Sequence, residues 1–192
     1  MKKTKLFIIW IFALCISSCT SQTEELSQVP TQNDIIAFHD SLQILSNETK
    51  GIIDSLAEKS FNYNTSNTRA QKLDEDSLDY LISKLSIKTQ DFLIENGINT
   101  DSIYIEGGNK EQLAYIGLLL LDYEKLSSIP QTRASIRDCV LSGAGLSELF
   151  SNKVLSKRAV MRIIIKAGLK RSVPYLGWAL FISETAACLA GY

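Results

Sequence analysis

The chain has 192 residues, of which 45% are hydrophobic and 21% charged, with three prolines and a formal charge of -1. That profile fits an ordinary globular protein carrying one additional apolar segment, and it excludes collagen-like, low-complexity and disordered readings. The composition is not basic overall, so electrostatics give no footing to a nucleic-acid binder.

The N-terminus reads as an export signal. Lys2, Lys3 and Lys5 form a positive region, and Leu6 to Ile16 follow as eleven residues without a charge. A membrane-spanning helix needs about 20 apolar residues, so this stretch has the length of a signal-peptide core instead. The next residues, Ile16-Ser17-Ser18-Cys19, resemble the lipobox of bacterial lipoproteins. The resemblance implies that Cys19 becomes the new N-terminus and carries a diacylglycerol and an amide-linked chain. Anchoring by several chains is firm because each buried methylene contributes about 0.8 kcal/mol. Gln22-Thr23-Glu24-Glu25 is similar to the short acidic export signal of Bacteroidota surface lipoproteins. Thr20 stands where an inner-membrane retention aspartate sits in enteric bacteria. The resemblance therefore implies outer-membrane delivery, on the periplasmic or cell-surface side. Residues 1–18 are read as signal peptide, 19–33 as a flexible tether and 34–192 as a single helical domain.

In that domain Asn33 is placed to cap a first helix running to about Lys59, with Ile35, Ile36, Leu42, Leu45, Ile52, Ile53 and Leu56 at helical spacings. Phe61 to Thr68 is polar and reads as a linker. A second helix starts near Asp74 to Ser77 and carries Leu78, Leu81, Ile82, Leu85, Phe92 and Leu93 to a stop at Asn96-Gly97. Ile103-Tyr104-Ile105 reads as a brief extended stretch before Gly107-Gly108, too short to found a sheet. Asn109 caps a third helix to about Ser127, apolar nearly all round and so central. A fourth is expected over Thr132 to Phe150, a fifth from Ser156 to about Lys170, and a sixth from Pro174 through Ala190. The consistent fold is all-α, an irregular bundle of about five to six helices.

Cysteine arithmetic points to one disulfide. With Cys15 removed and Cys19 acylated, Cys139 and Cys188 remain, and two cysteines left in an exported domain usually pair. Closing a loop of roughly 50 residues contributes on the order of 4 kcal/mol in the chain-entropy model. A metal role is disfavoured because the sole histidine, His39, is remote in sequence from both.

Charge is split along the mature chain. Thr23 to Glu124 holds seven Lys/Arg against eighteen Asp/Glu, whereas Lys125 to Arg171 holds ten against two. An acidic half (34–124) thus precedes a basic and apolar half (125–192). In the fifth helix Arg158, Arg162, Lys166 and Lys170 recur every four residues and are candidate contacts to an anionic surface; the alternative is a basic face turned to solvent or to the acidic half. The apolar stretch Val173 to Tyr192 spans only about 26 Å over 17 helical residues, short of a hydrocarbon core of about 30 Å, and Glu184 adds to the cost of inserting it. A buried central helix accounts for the same residues.

Catalytic chemistry finds little support. His39 lies beside Asp40 with no evident nucleophile. Asp74-Glu75-Asp76 with Asp79 suits a helix start better than calcium, since EF-hand spacing is missing. Gly107-Gly108 lacks the Lys-Ser/Thr of a phosphate loop. The sequence thus reads as a lipid-anchored envelope protein with a binding or structural role, needing no cofactor or metal, whose partners are the membrane through Cys19 and an unknown protein. Two other readings stay open. One is a precursor of a membrane-active, toxin- or bacteriocin-like segment over about 139–192, restrained by the acidic half. The other is an immunity-type or partner-binding surface lipoprotein.

Overall fold

The computed structural model describes residues 30–65, 74–127, 146, 149, 155–171 and 174–192. Those residues form six helices and no strand: α1 (Gln32–Thr65), α2 (Glu75–Glu95), α3 (Asp101–Ile105), α4 (Lys110–Ser127), α5 (Lys157–Leu169) and α6 (Tyr175–Ala190). The all-α expectation holds. Most of the fourth expected helix, with Cys139, lies outside the described residues, where only Leu146 and Leu149 are seen, both buried.

Both ends of α1 differ from expectation. Its cap is Thr31, not Asn33: Asp34 N–H donates to Thr31 Oγ1 at 3.3 Å, and the Asp34 carboxylate accepts the Thr31 N–H at 3.0 Å and hydroxyl at 2.6 Å. This reciprocal Thr-x-x-Asp box satisfies two orphan donors at once, which a lone Asn cannot do. The same hydrogen bonds hold the Asp34 carboxyl below its ordinary pKa. At the other end α1 continues past Lys59 to Thr65, because Ser60 is buried and the Phe61 ring packs on Tyr192 with centroids 5.7 Å apart. The first residues of the expected linker are therefore helix.

The α2 stop at Gly97 is as expected. Gly97 N–H bonds Ile94 O and Ile98 N–H bonds Leu93 O, both at 2.9 Å, with Gly97 at φ 78°. The expected extended stretch after it is instead the short helix α3. Asn99 Oδ1 accepts the Asp101 N–H at 2.9 Å, Ile103 is buried, and Gly107 at φ 85° repeats the closing pattern of Gly97. An Asx start and a left-handed glycine stop override the β preference of two isoleucines.

α4 is the axis of the bundle, with every residue from Glu111 to Asp122 buried. Asn109 and Gln112 form a second box, each side chain accepting the other's N–H, at 2.9 and 3.0 Å. α2 lies alongside α4, where Lys110 pairs with Asp79 and a Cβ built on Gly117 would lie 2.2 Å from Thr89 Oγ1. α5 crosses α4 as closely, Gly168 resting on Ile116. α6 packs chiefly on α1 and α4. It buries Trp178, Ala179, Ile182 and Ala186 and ties to α1 through the Ser183 hydroxyl, which donates to Leu56 O at 2.8 Å. Pro174 sits one position before the helix rather than at its first residue, its carbonyl accepting the Trp178 N–H. α6 is therefore not the central helix expected of the apolar tail: α4 holds that place, and α6 buries one face while Leu180, Phe181 and Leu189 are only half-buried and Glu184 is exposed; no helix among the described residues is long and apolar enough to cross a membrane.

Candidate binding surface

Two exposed faces combine features that the core does not require. The first is on α5. Ser156 caps the helix through Ala159 N–H at 3.3 Å, and Ala159, Val160, Met161, Ile164 and Gly168 turn inward. The hydrophobic register therefore dictates that Arg158, Arg162, Lys166 and Lys170 face outward, and all four are exposed. No acidic residue occupies the first turn, which instead holds Lys157 and Arg158 at the positive end of the helix dipole. Lys157 Nζ lies 6.0 Å from the Phe38 ring of α1, and burial, then the charge of Arg158, pull its pKa below the ordinary lysine value. At the far end of α5, Gln112 Nε2 donates to the carbonyls of Leu169 and Arg171, both at 3.1 Å, so α4 anchors the C-terminus of the basic helix. The Arg171 guanidinium carbon lies 5.0 Å from the Phe181 ring centroid and 5.8 Å from that of Tyr115.

The second face joins α1 and α2. Tyr80, Ile87 and Ile94 recur at seven-residue spacing on α2 and are 57%, 55% and 54% exposed. Seven residues are nearly two helical turns, so the three share one outward stripe. Beside it runs a groove of about 330 Å³, lined by Ile44, Leu45, Phe92 and Ile94 and by the charged Glu48, Lys88, Asp91 and Glu95. Lys88 bonds Glu48 across it at 2.9 Å, which raises the Lys88 pKa. A second groove of about 390 Å³ is more polar and lies where Lys125 Nζ caps the α6 C-terminus at Leu189 O, 2.6 Å away.

Of the residues singled out in the sequence, the four basic ones thus share a face of α5. Cys188 is disulfide-bonded; its partner is outside the described residues, as are Cys19 and Cys139. His39 is half-buried on α1. Asp74 caps α2 by accepting the Ser77 N–H at 3.4 Å, the helix-start role expected of its cluster, and the Ser77 hydroxyl first and then this N–H lower its pKa. Among the described residues no group of three or more His, Cys, Asp or Glu could hold a metal ion. The α2 stripe was not singled out in the sequence. Its signal was present as the three apolar residues left over once Leu78, Leu81, Ile82, Leu85, Phe92 and Leu93 are assigned to the core. Comparison with protein-family models, curated proteins and solved structures finds no match to this chain.

Proposed function

We propose that this chain is a lipid-anchored protein of the bacterial outer membrane that acts by binding a protein partner rather than by catalysis. The observation that carries the binding role is the stripe of Tyr80, Ile87 and Ile94, more than half exposed beside a charged groove. A core needs no apolar residues there, and three large ones at one spacing form a seam suited to an apposed helix. Asp34 and Asp74 serve as helix caps and Lys88 and Glu48 as an ion pair. The address rests on the lipobox resemblance at Cys19.

A photo-crosslinking residue in place of Ile87, in the acylated chain in intact envelopes, tests this reading. A single discrete adduct that disappears when Ile94→Glu is added is the expected result. Monomer alone, or a smear unaffected by Ile94→Glu, would count against it. Intact mass of the native chain reads the anchor separately, and an unmodified Cys19 or an uncleaved signal would remove that part.

A further inference from the structure

We infer that the protein bound along the α2 stripe is a second copy of this chain, paired antiparallel through α2 about a two-fold axis at Ile87. The inference rests on the protein-binding reading proposed above and names its partner; it does not depend on the modification of Cys19.

Three observations carry it. The first is the exposed line of α2, which runs Tyr80, Lys84, Ile87, Asp91, Ile94, every one of them exposed. At 3.6 residues per turn these positions fall within about 80° of arc, so one apposed helix covers them all. The second is that the line reads alike from either end. Tyr80 stands seven residues before Ile87 and Ile94 seven after it, while Lys84 stands three before and Asp91 four after. Reversed about Ile87, Tyr80 comes level with Ile94 of the second copy, Ile87 meets Ile87, and Lys84 comes within about 1.5 Å of the level of Asp91. Both charges lie on the same side of the apolar line, a relation that a two-fold axis perpendicular to the helices preserves, so Lys84 meets Asp91 twice in the pair. Parallel pairing would set Lys84 on Lys84 and Asp91 on Asp91, and the charges therefore select the antiparallel arrangement.

The third observation is the fit at the Ile94 end. The groove of about 330 Å³ between α1 and α2 is lined there by Ile44, Leu45, Phe92 and Ile94, and Ile44 is itself 59% exposed. Tyr80 of the second copy arrives at the rim of this groove, with its ring facing apolar residues and the Glu48 and Glu95 carboxylates lining the same groove as acceptors for its hydroxyl. One chain thus carries both the knob and the hole, and the two-fold axis uses each twice. Lys84 Nζ lies 4.5 Å from the centroid of its own Tyr80 ring, a cation–π contact that keeps the ammonium beside the seam. Exposed ion pairs contribute little affinity by themselves and set orientation, while burial of the isoleucines and tyrosines supplies the attraction. A contact of one helix pair is small, so the association is of moderate strength.

The test uses non-acylated residues 20–192, which contain the whole core, since its members lie between Phe38 and Ala186. Sedimentation equilibrium should show the mass rising from one chain to two between about 1 and about 100 μM. Lys84→Asp and Asp91→Lys each bring like charges together twice and should weaken pairing about tenfold or more. An equimolar mixture of these two variants should regain the parent's affinity, because opposite charges then meet at both contacts of the mixed pair. Ile87→Glu sets two carboxylates on the axis and should remain a single chain throughout. All the altered positions are exposed, and circular dichroism confirms that the variants are folded. A parent that stays a single chain at about 100 μM, charge variants that pair as the parent does, or a mixture that recovers nothing would each overturn the inference. If the parent is a single chain while the Ile87 crosslink in envelopes gives an adduct of some other mass, the partner is a different protein, and the binding reading stands without this inference. Absence of both self-association and any adduct removes both.

Discussion

Tyr115 places its ring in an aromatic cluster, 5.1 Å from Trp178 and 5.2 Å from Phe181, while its buried hydroxyl has no hydrogen-bond partner among the described residues. An unmade buried hydrogen bond costs about 1–3 kcal/mol, so the ring stabilises the core and the oxygen does not. Tyr115→Phe is therefore expected to leave stability unchanged or raise it by about 1 kcal/mol, read by urea unfolding; a loss of that size would mean the hydroxyl is satisfied. Burial also pushes the Tyr115 and Tyr123 hydroxyls above their ordinary pKa. Above about pH 10 the folded chain then holds more protons than the unfolded one, so the stability these groups confer is complete below about 10 and falls as pH rises further. Tyr115→Phe should make that alkaline fall shallower above about pH 10, and an identical slope would show that Tyr115 does not contribute. Gln112, one turn earlier, is the opposite case, its amide accepting from Asn109 and donating to Leu169 and Arg171. Gln112→Ala orphans one N–H and two carbonyls, with an expected loss of about 2 kcal/mol and a lower unfolding temperature. Amide exchange should rise in the first turn of α4, and protection unchanged there would separate the loss from the cap.

At the scale of elements, the close approach of α2 and α4 depends on Gly117. Thr89 is held against it by its own bond to Leu85 O at 2.9 Å, so the side chain is not free to swing away from an added methyl. Gly117→Ala should gain slightly in helix propensity yet lose about 1–3 kcal/mol overall from overpacking; recovery in Gly117→Ala with Thr89→Ser, which removes one methyl while keeping the hydroxyl bond, would not be expected, whereas Thr89→Ala should restore much of it. Chemical denaturation of the three variants decides this. The elements differ in how far their own residues announce them. α4 was legible because Leu113 to Leu121 is apolar on every face, which only a central helix tolerates. α2 was legible at both ends, through Asp74 and Gly97. α1 was misjudged at its N-terminus because Asn33 looked like a cap in isolation, while the reciprocal bond of Thr31 and Asp34 is a property of the pair. Its extension through Phe61 depends on Tyr192, at the far end of the chain. Similarly, the basic row of α5 showed in its four-residue spacing, but its position beside the start of α1 follows from tertiary packing of Lys157 on Phe38.

For the whole molecule, the question is whether the acidic and basic halves act separately. α6 supplies Trp178, Ala179, Ile182 and Ala186 to the same core as Phe38 to Leu56 of α1, and the Ser183 hydroxyl bonds the α1 backbone at Leu56. A fragment from about residue 139 onward would leave behind a bundle lacking one wall and carry away apolar surface with no cover, each buried large side chain representing about 1.5–3 kcal/mol of lost burial. Continuity of one core therefore favours a protein that works intact over a precursor that sheds its tail. The disulfide adds a covalent constraint. Cys188 is bonded, and in residues 20–192 the one other cysteine is Cys139. Denatured, unreduced residues 20–192 should therefore run as a monomer with no titratable thiol, and Cys139→Ser should expose one thiol and lower stability by about 2–5 kcal/mol. Two thiols in the parent would refute the pairing; a disulfide-linked dimer would move it between chains. If the pairing holds, cleavage of the chain between Cys139 and Cys188 alone releases nothing until the bond is reduced. Protease treatment with and without reductant, followed by intact mass, then distinguishes a cross-linked bundle from a maturing precursor.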